Sequence, residues 1–296
     1  MTYVIAAVEH EKLRARALAT LATLPPFSPI LNRLIATLAH EDVSFIQVAN
    51  LIEKDTVLAG NVLRLVNSAL YGRRATINSV RHAVALLGVN KLRNATLTMS
   101  VTRMWSQVRS PAGWSMARFN LHAVGAAMFA DLLAQELAVE YAEGAFAAGL
   151  FHDIGRLLIA LALPEQHSQI TILCSGQHLS RIDCEYEVLG FTHADLSADA
   201  MEQWNLPDPI REAVLHHHDP KPPDTGESAM SLSQAVAIAT DFMNLCGYRV
   251  EGKGAPPFDP AVLQQYESKL REAGVRNPNA LLTGFTTEFE AMRTLF

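Results

Sequence analysis

The feature that most narrows the folding options is the segment AFAAGLFHDIGRLLIALAL at residues 145–163, an apolar run broken by His152, Asp153 and Arg156. A stretch this apolar seeks the interior, and a carboxylate taken inside costs several kcal/mol unless a cation or strong donors meet it. The same polar residues keep the run short of the roughly 18 uninterrupted apolar residues that a bilayer span requires. The segment reads as a core element, and the fold has to supply partners for His152 and Asp153.

The rest of the chain repeats one local pattern. Leu31, Leu34, Ile35 and Leu38 share a helical face, as do Phe45, Val48, Ala49 and Ile52, and then Leu58, Val62, Leu65 and Val66. Ser79 to Gly88 reads as a further short helix, with Tyr71-Gly72 ending the one before it. A long helix carries Phe119, His122, Ala126, Phe129, Leu133 and Leu137 on one stripe. Beyond residues 143–163, expected as one helical stretch, come helices near 165–174, 180–189 and 193–204. Thr192 caps the last of these, and Pro207 starts the element ending at His216-His217-His218. Residues 230–246 form another helix, and the final forty residues read as two more, with Gly284 breaking the pattern. No strand pair and no fixed-period repeat stands out. The expectation is an all-α protein.

Proline and glycine at Pro25-Pro26, Pro29, Pro111 and Gly113 punctuate the chain. They divide it into an opening helical segment (1–23), an N-terminal helical bundle (24–110), a second bundle (111–250) and C-terminal helices packed on that second bundle (251–296). Charge changes sign at the same place. Residues 1–110 hold 13 Lys and Arg against 6 Asp and Glu, leaving 11 against 24 for the remainder. Between Thr56 and Ser110 there is no acidic residue at all, so this surface either pairs with the acidic half of the chain or receives an anionic partner through Arg73, Arg74 and Arg81. With 49% hydrophobic and 18% charged residues the chain is too apolar for disorder. Cys174, Cys184 and Cys246, odd in number and widely spaced, form neither a disulfide framework nor a metal knuckle. The first residues meet Glu9, His10 and Glu11 too soon for a secretory leader, so a cytoplasmic location is expected.

His122 on an apolar stripe and Asp241, the one charge between Ser233 and Cys246, are the other polar groups in costly positions. Taken singly, such a histidine bonds a backbone carbonyl and such an aspartate finds an arginine or a helix N-terminus. Taken together, one divalent metal would satisfy His122, His152, Asp153 and Asp241 at once. His167 reads as a surface residue.

The order His122, His152-Asp153, Asp241 resembles the H…HD…D signature of the HD superfamily of metal-dependent phosphohydrolases. The chain further resembles the HDOD (HD-related output domain) family in LPPFSPILNRL, in NSALYG with INSVRHAVALLG, in GLFHDIGRLLI, and in HADLSADAMEQWNLPDPIREAVLHHHDP. These motifs cover roughly residues 24–245. The resemblance implies a helical bundle packed against an HD-type bundle and a signalling or output role. His193, His217 and His218 match the additional ligands of binuclear HD-GYP phosphodiesterases, in which two metals about 3.5–4 Å apart clamp a phosphate. Two departures pull the other way: Arg156 stands where HDxGK has lysine, and no GYP follows the histidine triplet. An arginine cannot give up a proton at neutral pH.

The reading is therefore an HDOD-type regulatory protein with an HD-type site for one or two divalent metals, acting through a signalling partner protein or a phosphorylated nucleotide. Fe, Mn, Ni, Zn, Co and Mg are not distinguished by such donors. The alternative is a metal-dependent phosphohydrolase acting on a nucleotide or cyclic dinucleotide, with Asp153 and Arg156 as its catalytic pair. No membrane or nucleic-acid partner is expected, and a homo-oligomer stays open.

Overall fold

The computed structural model describes residues 2–25, 27–36, 45–67, 76–111, 113–177, 179–224, 226, 229–251 and 257–293. Its helices are α1 (Thr2–Ala19), α2 (Pro29–Ala36), α3 (Phe45–Ile52), α4 (Thr56–Val66), α5 (Val80–Leu87), α6 (Val89–Trp105), α7 (Met116–Glu136), α8 (Ala145–Phe151), α9 (Ile154–Ala162), α10 (Pro164–Gln177), α11 (Arg181–Leu189), α12 (His193–Gln203), α13 (Asp208–Leu215), α14 (Leu232–Leu245), α15 (Pro260–Glu272) and α16 (Pro278–Arg293). Among the described residues the β content is one parallel bridge between Val139 and Met230. The protein is all-α.

Side-chain caps set many of the helix starts. Asp55, Ser79, Ser115, Ser180 and Asp259 each accept from a first-turn N–H, while Thr192 with Asp195 and Ser231 with Gln234 form reciprocal capping boxes. Helices α2–α5 gather around α6, which is buried along most of its length from Leu92 to Trp105. The second bundle is built on α7, with α8, α14 and α16 packed against it and α13 closing on α8, α12 and α14. Helix α6 also touches α7 and α8, joining the two bundles. Helix α1 lies against α9, α11 and α12, where Arg14 grips Asp199 through two 2.9 Å hydrogen bonds.

The C-terminal helices close the second bundle with aromatic side chains. Phe129 of α7 stacks on Phe242 of α14 at 4.2 Å between ring centroids, and Phe285 meets both rings edge-on. Burial of each such ring stabilises the fold by about 1.5–3 kcal/mol. Phe289 of α16 and Phe258 sit against Tyr248, whose carbonyl serves the site described below.

Two helix expectations change. Residues 143–163 are a 3-10 turn, α8, a break at His152-Asp153, and α9. The stretch Ala142–Ala162 is apolar and long enough by composition to cross a bilayer, yet 89% of its 18-residue apolar window is buried in the fold. Gly284 lies inside α16 without breaking it, because the stripe of Leu281, Leu282, Phe285, Phe289 and Met292 is buried and outweighs a glycine penalty of about 1 kcal/mol. Leu38, Tyr71 and Gly72 fall outside the described residues.

Candidate metal centre

Two close backbone approaches bring the polar residues of 152–153 to their partners. A Cβ on Gly149 would lie 2.6 Å from the Ala127 Cα, so α8 lies directly on α7 and brings His152 beside His122. A Cβ on Gly155 would lie 2.0 Å from the His193 carbonyl oxygen, so the first turn of α9 sits on the start of α12. Ser197 accepts from the Gly155 N–H at 2.8 Å and fixes that contact.

Asp153 is the centre of what results. Its Oδ2 lies 3.4 Å from His122 Nε2 and 3.7 Å from His152 Nε2, and its Oδ1 lies 3.1 Å from His193 Nε2 and 3.9 Å from His217 Nε2. His218 completes the group, its Nε2 3.0 Å from that of His193. The donors fall into two sets sharing Asp153: His122 with His152, and His193 with His217 and His218. All are buried except His218, at the rim.

The outer nitrogens decide where the inner lone pairs point. His122 Nδ1 donates to the Tyr248 carbonyl at 2.7 Å, His152 Nδ1 to that of Gly149 at 2.8 Å, and His217 Nδ1 to that of Val214 at 2.6 Å. Burial lowers the pKa of all three, that of His152 to about 3, so these imidazoles are neutral with a bare Nε2 facing the cluster. Two lone pairs 3.2 Å apart on His122 and His152 cannot bond each other, and among the described residues the buried Nε2 of His217 has no hydrogen-bond partner. A divalent cation is the species that such atoms fit. The donor set suits one or two ions, and imidazole with carboxylate accommodates several first-row metals.

His193 is held differently. Glu185, fully buried on α11, accepts from its backbone N–H at 2.8 Å and from its Nδ1 at 2.6 Å, and accepts from Arg181 Nε at 2.8 Å. Burial lowers the His193 pKa, but the Glu185 charge and then Asp153 outweigh it and raise it to about 9. Its Nε2 proton thus faces Asp153 Oδ1, where a cation would take the proton's place. Burial pushes the Asp153 pKa upward, yet Arg156, His152 and His193 hold it well below the ordinary carboxylate value. Arg156 Nη1 donates to Asp153 Oδ2 at 3.0 Å and its Nη2 to Glu251, which Arg181 Nη1 also contacts.

Of the residues expected from sequence, His122, His152, Asp153, His193, His217 and His218 come together, and Arg156 lies beside them. Asp241 does not. It sits on an exposed face of α14, 2.9 Å from Lys269 Nζ of α15. Position 241 looked enclosed because its sequence neighbours are apolar, but they bury the opposite face toward α7. Arg73 and Arg74 fall outside the described residues; Arg81, on α5, lies 3.7 Å from Glu53 and donates to Asn50. Elsewhere in the basic stretch Arg93 is buried, and Lys91 reaches Glu288 of α16. His167 is buried against Trp114, contrary to a surface position. Glu185, Arg181 and Glu251 were missed; the spacing of Arg181 and Glu185 by one helical turn was the available signal for the first two.

The HDOD domain model matches residues 24–220. An HDOD domain protein from Geobacter sulfurreducens superposes with a TM-score of 0.72 at 23% identity, covering 97% of this chain and 99% of that one. A Shewanella amazonensis SB2B protein described as a candidate phosphohydrolase gives 0.71 at 23% identity, over 95% and 98% of the two chains. These likenesses establish the shared fold. An uncharacterised protein of Treponema pallidum (strain Nichols) is 24% identical over 231 residues, 77% of this chain; the match spans 44% of that relative's length.

Proposed function

We propose that this chain, which belongs to the HDOD domain family, is a regulatory protein whose HD-type centre holds divalent metal and recognises a phosphorylated nucleotide there. The observation that carries this reading is the convergence of four imidazole Nε2 atoms on the Asp153 carboxylate, with His218 beside them and the outer nitrogens of His122, His152, His193 and His217 each committed to a fixed acceptor. His122, His152 and Asp153 would hold one ion, and Asp153, His193, His217 and His218 a second. When bound, divalent metal supplies Lewis acidity that neutralises phosphate charge and makes water more nucleophilic.

The chain's own residues do the remainder. Asp153 joins the two donor sets, Glu185 orients His193, and the permanently charged Arg156 orients an incoming anion. His218, the rim member, marks the side from which solvent reaches the cluster. The test is a titration of nucleotides and cyclic dinucleotides into manganese-loaded protein and into Asp153→Ala. Binding that needs both metal and Asp153 supports the reading; nucleotides bound equally by the two proteins, or by neither, remove it.

The shared carboxylate between two donor sets also favours a second reading, hydrolysis of the bound phosphoester. Phosphate release from the same ligands, lost in Asp153→Ala, distinguishes an enzyme from a sensor.

A further inference from the structure

Arg156 and Arg181 have their outer guanidinium nitrogens on one carboxylate, that of Glu251, each taking one of its oxygens. On their other sides both are anchored to the metal centre: Arg156 to Asp153 at 3.0 Å, and Arg181 to Glu185 at 2.8 Å. Exposure within this trio is unequal. The arginine side chains are 10% and 16% exposed, whereas that of Glu251 is 40% exposed. The two cations are built into the protein by buried anchors, while the anion between them sits on irregular chain after α14.

The two guanidinium groups also carry donors that these carboxylates do not meet. Among the described residues Arg156 Nε and Arg181 Nη2 are buried with no hydrogen-bond partner. A carboxylate offers two oxygens in one plane. A phosphoryl group offers three acceptor oxygens and more negative charge, and paired arginines recognise it in this forked manner.

We infer that Arg156 and Arg181 form an oxyanion seat for the phosphoryl group of the ligand, and that Glu251 is an internal carboxylate occupying that seat until phosphate displaces it. The phosphoryl class rests on the reading of the neighbouring centre as a phosphate-handling site; the seat itself rests on the two guanidinium groups. Glu251 then acts as a built-in competitor, setting the ligand concentration at which the seat fills.

The experiment is calorimetric titration of inorganic phosphate into EDTA-treated protein in chloride buffer, so that failure of the metal reading leaves it unaffected; metal content is measured separately. Glu251→Gln keeps the shape and removes the competing charge, and it is expected to bind phosphate about tenfold or more tighter than the unsubstituted chain. Adding Arg181→Gln to that variant is expected to abolish the gain. In the unsubstituted chain, saturating phosphate is expected to speed amide exchange at Arg249 to Glu251. If Glu251→Gln binds phosphate no tighter, if the double variant binds as Glu251→Gln does, or if exchange at those residues is unchanged, Glu251 is a structural ion-pair partner and the seat does not exist.

Discussion

Replacing Glu185 with glutamine tests how far the metal centre depends on a residue outside its donor set. Glu185 is wholly buried and accepts from three donors: the His193 N–H at 2.8 Å, His193 Nδ1 at 2.6 Å and Arg181 Nε at 2.8 Å. Glutamine fits the space, but one of its ends is an amide N–H that must face a donor. The substitution also removes the negative charge that Glu185 sets between Arg181 and His193. Breaking a buried pair from one side costs about 3–5 kcal/mol, which at roughly 2 °C per kcal/mol for a chain of this size lowers Tm by roughly 6–10 °C. His193 would lose the charge that raises its pKa to about 9, and its ring would lose its fixed orientation. Carboxylates that orient a ligating histidine contribute about 10–100-fold to metal affinity, so competition against a fluorescent chelator is expected to show a loss of that size. An affinity within about twofold of the unsubstituted protein would refute the role assigned to Glu185.

Three further outcomes follow from the same geometry. Gly155→Ala places a Cβ 2.0 Å from the His193 carbonyl oxygen, so it is expected to force α9 and α12 apart, cost roughly 1–3 kcal/mol or more in thermal unfolding and reduce metal retention. Asp241→Asn removes the charge of a half-exposed pair with Lys269 and touches a long 3.4 Å contact from the Tyr266 hydroxyl; metal content is expected to stay the same and stability to change by less than about 1 kcal/mol. Glu251 has its pKa pushed up by burial and pulled down further by Arg156 and Arg181, to about 2 from an ordinary 4.5. Its ion pairs therefore stabilise fully above pH 4.5 and fade as the pH falls toward 2, so the Tm difference between the unsubstituted chain and Glu251→Gln is expected to shrink across that window. A difference independent of pH would show that the Glu251 charge contributes nothing.

The fold was largely legible because helical periodicity and caps are local. Thr192 followed three residues later by Asp195 signals the start of α12 without any tertiary knowledge, and the stripe of α7 locates the buried face on which His122 lies. His152-Asp153 was legible for the same reason, since an apolar run makes a buried carboxylate visible. Asp241 misled because apolar neighbours in sequence do not report which face of a helix is buried. Only the arrival of Lys269 from α15 shows that position 241 looks outward. Glu185 and Glu251 were hidden for the converse reason. Each sits in ordinary-looking polar sequence and becomes part of the centre only when α11 and the chain after α14 are brought beside α9 and α12.

The most direct test of the central claim is elemental analysis of the protein purified without added metal, beside Asp153→Asn prepared in the same way. A centre in which Asp153 joins two donor sets predicts divalent metal bound at up to two ions per chain, lost from the variant while its helical content by circular dichroism is retained. Protein that carries no divalent metal and takes none up when it is supplied, or a variant that retains its metal, would contradict it.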